Sequence, residues 1–192
     1  MEIHHDELRR TLTRREVLAK MSTGLMAITV QSIWGEISPA QARVKGVALR
    51  NLTAVESRTL EALADVLLPG AEKAGIAHYV DDQLSRQNPL LFLKYMDYPG
   101  SYIDFYKQGL GAVESQSARR YGRAFDKLGY KQKTAIAREL SLKNPPGWKG
   151  PPGPLFYFVA RNDAVDVYYG TVEGFKKLGV PYMAHILPAE KW

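Results

Sequence analysis

Two histidines, His78 and His185, are the side chains best suited to carry chemistry in this sequence. His78 precedes Asp81 by three residues within a segment, residues 77–84, whose apolar spacing predicts a helix, so the imidazole and the carboxylate share one helix face. Helical metal sites use this arrangement, but they need a second motif of the same kind, and the sequence has none. The spacing therefore favours a hydrogen bond at the helix surface over a metal site.

The sequence gives little support for other kinds of active site. His185 has no serine or aspartate partner in a recognisable motif, so a catalytic triad is unsupported. The absence of cysteine excludes a disulfide, a thiol nucleophile, an iron–sulfur cluster and a covalently attached c-type haem. Gly109-Leu110-Gly111 follows no predicted strand and lacks the third glycine of a dinucleotide-binding fingerprint, so it predicts close helix packing. We predict no catalytic, cofactor-binding or metal-binding residues on this chain.

The first 42 residues have the layout of an export signal. Arg14 and Arg15 stand in the sequence Thr-Arg-Arg-Glu-Val-Leu, which resembles the twin-arginine consensus. The apolar run that follows, residues 21–34, is too short and too polar to span a bilayer well. Ala40 and Ala42 then supply the small-x-small pattern of a signal peptidase site. We predict a twin-arginine signal peptide over residues 1–42, cleavage after Ala42 and export to the periplasm.

Two alternatives to this interpretation stay open. A cytosolic amphipathic helix could contain the arginine pair by chance, although the order and spacing of the three features favour export. If the signal is not removed, its apolar run would tether the protein weakly to the membrane.

The net charge of +6 belongs wholly to residues 43–192, because residues 1–42 carry equal numbers of acidic and basic side chains. The cations are scattered, as at Arg119, Lys131 and Lys133, and acidic residues lie nearby. This pattern is typical of solvated helix faces rather than of a nucleic-acid-binding surface, and no nucleic-acid-binding motif is present. We predict no nucleic-acid partner.

Helical periodicity dominates residues 43–192, a length suited to one domain. Thr53 and Glu56 form a capping box that predicts the start of a helix ending before Pro69. We predict further helices over residues 77–84, 89–95, 102–121, 131–142 and 155–169. Ala135 and Phe158 are among the side chains that the spacing directs inward. No segment alternates like a strand, so the sequence predicts a mainly α fold, a single helical domain.

Two segments do not fit regular helices. Residues 144–154 are rich in proline and glycine and hold Trp148 in a loop of restricted freedom. Residues 170–192 are strongly apolar, yet their glycines and prolines prevent a long regular element, which predicts a long irregular C-terminal tail. Such a tail must pack on its own domain or on another protein.

The sequence also resembles a known family. The residues that carry the resemblance are Leu-Glu-Ala-Leu-Ala-Asp-Val-Leu-Leu-Pro at 60–69, Ala-Gly-Ile-Ala-His-Tyr-Val-Asp-Asp-Gln-Leu at 74–84, Tyr-Gly-Thr-Val-Glu-Gly-Phe at 169–175 and Leu-Gly-Val-Pro-Tyr at 178–182. Together with the Arg14-Arg15 signal, these segments are similar to the small subunit of membrane-associated gluconate 2-dehydrogenase, the subunit 3 family. The resemblance covers most of residues 53–192.

This resemblance implies a non-catalytic subunit of a periplasmic complex. In such complexes a large flavoprotein of the glucose–methanol–choline oxidoreductase family binds FAD and oxidises a sugar or sugar acid. A multihaem cytochrome c subunit carries haem c and passes electrons to the membrane quinone pool. The small subunit carries the signal read by the twin-arginine translocase, and it assists the maturation and export of the flavoprotein. The complex would hold this chain at the inner membrane.

The apolar tail and the Trp148 loop are the segments that we expect to contact the flavoprotein. Aromatic side chains dominate the binding energy of many interfaces. The residues that we expect to contact the flavoprotein are Trp148, Tyr169, Phe175, Tyr182, His185 and Trp192. The alternative function is a stand-alone periplasmic helical protein, either a binding protein or an enzyme with an unrecognised site.

Overall fold

The computed structural model describes residues 30–32 and 35–179, and most of these residues are helical. The helices are α1 (Pro39–Val44), α2 (Ala54–Leu67), α3 (Ile76–Leu84), α4 (Phe92–Tyr95), α5 (Tyr102–Tyr121), α6 (Tyr130–Leu142), α7 (Gly153–Tyr169) and α8 (Val172–Leu178), with a 3-10 turn at Phe125–Lys127. Strands β1 (Val30–Ser32) and β2 (Gly35–Ile37) form a small antiparallel hairpin that pairs Val30 with Ile37. The prediction of a mainly α domain is confirmed.

Helix α2 begins where the capping box predicts. The Thr53 hydroxyl accepts a hydrogen bond from the Glu56 backbone N–H at 3.2 Å, and the Glu56 carboxylate accepts one from the Thr53 N–H at 2.7 Å. The helix ends before Pro69, and Gly70 follows in a left-handed conformation with φ of 98°. A Cβ atom at Gly70 would lie 2.8 Å from the ring of Tyr168, so the chain turns closely against α7 at this point.

The core lies between α2, α3, α5, α6 and α7. Helices α5 and α7 approach closely at Gly109, where a Cβ atom would lie only 2.2 Å from Cε2 of Phe156. The buried rings of Phe105 and Tyr106 on α5 contact Phe156, with ring centroids 5.7 and 6.3 Å from it. The prediction that Gly109 serves close helix packing is thus confirmed.

Two predicted orientations are wrong. Ala135 is exposed on α6, while its neighbour Ile136 is fully buried. Phe158 is 41% exposed on α7, although Val159 beside it is fully buried. Both errors have the same cause. Only one stripe of a helix faces the core, so consecutive apolar residues cannot all be buried.

Two helices, α1 and α8, lie outside the predicted ones, and a third, α4, is shorter than predicted. Helix α1 covers Ala40 and Ala42, the residues interpreted as a peptidase site, and cleavage after Ala42 stays a prediction. Helix α4 begins at Phe92 rather than at Pro89. Helix α8 occupies the first part of the tail, where the Thr171 hydroxyl caps it by accepting a hydrogen bond from the Gly174 N–H at 3.1 Å.

Arg14, Arg15, Tyr182, His185 and Trp192 lie outside the described residues. Within the described ranges, no helix combines the length and the apolar character needed to span a bilayer.

Candidate protein-binding interface

His78 and Asp81 lie on α3, but they do not face solvent. The Asp81 carboxylate accepts hydrogen bonds from the backbone N–H groups of Arg50, Asn51 and Leu52, each at 2.8 Å. His78 Nε2 lies 3.1 Å from the Val47 carbonyl oxygen, and burial lowers the pKa of this histidine. The predicted hydrogen-bonding role is right in kind, but the groups are buried at a helix–loop contact rather than on a surface. Their hydrogen bonds hold the segment that leads into α2 against α3.

A polar cleft of about 300 Å³ lies between α2, α6 and the 3-10 turn. Its walls carry both signs of charge: Arg58 lies 3.5 Å from Asp126, and Arg43 lies 3.1 Å from Glu61 at its edge. Burial raises the pKa of Glu61, and the charge of Arg43 opposes that shift. The described part of the chain contains no group of three His, Asp or Glu side chains placed to hold a metal ion. Arg58 is thus paired with Asp126, and Glu61 with Arg43.

An exposed aromatic cluster lies where α4 meets α7. We call it the aromatic patch and define it as Phe92, Tyr95, Met96 and Phe158. The rings of Phe92 and Phe158 meet edge to face with centroids 5.3 Å apart, and the ring of Tyr95 lies 6.3 Å from that of Phe92. Tyr95 is 65% exposed. Clustered exposed aromatic side chains of this kind are typical of protein–protein contacts.

Helix α3 holds the chain that enters the patch. The Leu90 N–H donates a hydrogen bond to the Gln83 side chain at 2.7 Å, and the Leu90 carbonyl accepts one from the Tyr79 hydroxyl at 3.1 Å. Leu91 and Leu93, on either side of Phe92, are fully buried. This attachment anchors the short helix α4, from which the rings of Phe92 and Tyr95 project.

A buried carboxylate on α7 fixes the patch from the other side. Asp163 accepts a hydrogen bond from the Phe92 N–H at 2.7 Å on one oxygen and from the Tyr106 hydroxyl on the other. Burial raises the pKa of Asp163 to about 7, while the two hydrogen bonds act in the opposite direction. Burial also raises the pKa of Tyr106 well above its usual value. Donors from the fold occupy both oxygens, so this ionisable pair positions α4 and is not presented to a ligand.

A second exposed face runs along α6, beside a groove of about 540 Å³. Tyr130 and Leu142, at its two ends, are 68% and 72% exposed. Between them lie Lys131 and Arg138, so this face is basic rather than continuously apolar. It offers exposed apolar side chains of similar size to those of the aromatic patch, without ring-to-ring contact among them.

The residues named for the interface from sequence are less exposed than expected where the structure describes them. Trp148 is half-buried, with its ring 6.3 Å from that of Phe156, and its indole N–H donates to the Pro151 carbonyl at 2.6 Å. Tyr169 is half-buried and packs edge to face on Tyr168, with centroids 4.8 Å apart. Phe175 is half-buried on α8. Their role in binding stays a prediction.

Sequence reasoning missed the aromatic patch, although one signal for it was present. Phe92 and Tyr95 are three residues apart, which places them on one face of a helical turn. Phe158 gave no such signal, because it stands beside the core residue Val159.

Comparison with known proteins identifies the family. A family model described as gluconate 2-dehydrogenase subunit 3 matches residues 54–185. No curated protein and no solved structure gives a significant match. The match includes α2 to α8, the aromatic patch and the residues that hold it. The chain belongs to the gluconate 2-dehydrogenase subunit 3 family.

Proposed function

We propose that this chain is the non-catalytic small subunit of a periplasmic FAD-dependent dehydrogenase that oxidises gluconate or a related sugar. It binds the large flavoprotein subunit, assists its maturation and accompanies it through the twin-arginine translocase. FAD belongs to that partner, and haem c belongs to a cytochrome c subunit that ties the complex to the inner membrane. Family membership supports a role as a subunit of such a complex.

The observation that carries the proposal is the exposed aromatic patch on an anchored helix. Tyr95 on α4 and Phe158 on α7 expose large rings. The hydrogen bond from the Phe92 N–H to Asp163, together with the buried Leu91 and Leu93, holds α4 against α7. A surface that is already ordered loses little conformational entropy when a partner covers it. Aromatic side chains at the centre of such a surface supply a large share of the binding energy. We place the flavoprotein contact here.

Purification of the tagged full chain from its native host tests the proposal. We expect a large FAD-containing protein to co-purify, and flavin absorbance per chain gives the measure of binding. A folded, colourless chain that elutes alone would contradict the subunit role.

A matched pair of variants tests the location of the contact. Tyr95→Ser with Phe158→Ser should reduce co-purified flavin at least about tenfold, because two central aromatic contacts are lost. Tyr130→Ser with Leu142→Ser removes two large apolar side chains from α6 that are at least as exposed, and it should leave the flavin unchanged. The reverse result would place the contact on α6.

A further inference from the structure

The chain around the predicted cleavage site is built into the folded domain. Residues 38–47, which we call the N-terminal strap, begin with a capping box in which the Gln41 N–H donates to the Ser38 hydroxyl at 3.2 Å and the Ser38 N–H donates to the Gln41 side chain at 3.3 Å. Pro39 occupies the first turn of α1, a position that suits proline. The strap therefore has its own helix-forming signals.

Helix α1 packs tightly on the start of α3. Ala42 is fully buried, and the backbone of Pro39 passes directly over Gly75. A Cβ atom at Gly75 would lie 2.2 Å from the Pro39 carbonyl oxygen, and Gly75 itself has a left-handed φ of 85°. Only glycine permits this approach. This contact joins Gly75, which lies in the region matched by the family model, to Pro39, which precedes the predicted cleavage site.

Charge and hydrogen bonding hold the rest of the strap. Arg43 lies 3.1 Å from the Glu61 carboxylate on α2 and also pairs with Glu72. At the end of the strap, the Val47 N–H donates to the Ala42 carbonyl at 3.0 Å, and the Val47 carbonyl meets His78 Nε2 at 3.1 Å. Both ends of the strap are therefore held by α2, α3 or the residue that precedes α3, while Val44 between them is 84% exposed.

A peptidase must bind the bond that it cuts in an extended conformation. The bond between Ala42 and Arg43 lies inside α1, where the Ala42 N–H donates to the Ser38 carbonyl at 2.9 Å. To present this bond, the chain would have to unwind α1, expose Ala42 and pull Arg43 away from Glu61. A protein that folds before it crosses the membrane meets the peptidase with these contacts already made.

We propose that residues 38–47 are a permanent part of the folded domain, and that any removal of the leader occurs before Ser38. The small-x-small pattern at Ala40 and Ala42 is then a packing feature, since Ala42 is fully buried where α1 packs on α3 and a larger side chain there would have to displace its neighbours. The inference rests on the proposed export only in so far as export brings the peptidase to this chain.

The first test is the intact mass of the protein purified from the periplasm and membrane fractions of its native host. A terminus at or before Ser38, including an uncut chain that begins at Met1, supports the proposal. A terminus at Arg43 overturns it. A chain found only in the cytoplasm counts against the proposed export, and the inference is then decided by the second test.

The second test compares thermal unfolding of a chain that begins at Ser38 with one that begins at Arg43. Loss of residues 38–42 should lower the melting temperature by about 5 °C or more, or prevent folding. Gly75→Ala should lower the melting temperature further in the longer chain than in the shorter one, because only the longer chain has Pro39 against the new methyl group. Equal melting temperatures for the two chains, or an equal effect of Gly75→Ala in both, would overturn the proposal.

Discussion

The backbone N–H of Phe92 donates a 2.7 Å hydrogen bond to the buried carboxylate of Asp163, which joins the first residue of α4 to the middle of α7. These two residues lie 71 positions apart in the sequence. Phe92 and Phe158, one from each helix, then meet at the surface with centroids 5.3 Å apart. A polar contact in the core thus determines the geometry of an aromatic patch outside it.

Asp163→Ala should destabilise the domain by about 2–4 kcal/mol, because it leaves the Phe92 N–H and the Tyr106 hydroxyl buried without their acceptor. Asp166→Ala is the matched control, since Asp166 is a half-buried residue on the same helix, and it should cost less than about 1 kcal/mol. Urea unfolding of both variants measures the difference. Similar losses for the two would contradict the role assigned to Asp163.

Asp163 should also make stability depend on pH. Burial raises its pKa from 3.8 to about 7 in the folded chain, so the carboxyl group stabilises the fold fully below pH 3.8 and loses that contribution as the pH rises through about 7. Asp163→Asn keeps the shape of the group but cannot ionise. Between pH 5 and pH 8 the natural chain should therefore lose about 2–3 kcal/mol relative to Asp163→Asn.

The measurement is the free energy of unfolding in urea at both pH values, for the natural chain and for Asp163→Asn. Titrating groups that do not interact with Asp163 are common to both chains and cancel in the comparison. The charge of Asp166 helps to raise the pKa of Asp163, so its effect forms part of the measured difference. A difference between the two chains that does not change with pH would show that Asp163 stays ionised throughout.

Local signals predicted most of the helices. The pairing of Thr53 with Glu56 marked the start of α2, and the predicted range 102–121 coincides with α5. Each of these depends on spacing within a few turns of one helix, which the sequence displays directly. The packing role of Gly109 could also be predicted, because a glycine within an apolar helical stripe indicates the close approach of another element.

The site was harder to predict because its parts come from distant segments. The sequence shows Asp163 within an apolar helix, but it does not show that the acceptor meets Phe92 and Tyr106. Helix α1 was missed for a related reason. Its alanines are compatible with both a peptidase site and a packed helix. The residue against which α1 packs, Gly75, lies more than 30 positions later in the sequence.

Two glycines on α5 should respond oppositely to substitution. Gly109→Ala places a methyl group against the ring of Phe156, at 2.2 Å from Cε2, and should cost about 1–3 kcal/mol through overpacking. Gly111→Ala meets no atom within 4 Å and should stabilise the helix by up to about 1 kcal/mol. Thermal unfolding of the two variants gives the comparison. A neutral Gly109→Ala would show that α5 and α7 can separate without cost.

Truncation after Gly179 separates the two hypotheses for partner binding. It removes Tyr182, His185 and Trp192 and keeps α8, whose Thr171 cap and packing on α7 are complete by that point. Thermal unfolding of the truncated chain checks that the domain remains folded. If the tail supplies the main contact, co-purified flavin should fall to background. If the aromatic patch supplies it, flavin should persist after truncation and disappear in the Tyr95→Ser and Phe158→Ser variant. Loss in both would mean that the flavoprotein contacts both surfaces at once, because each then contributes free energy that the other cannot replace.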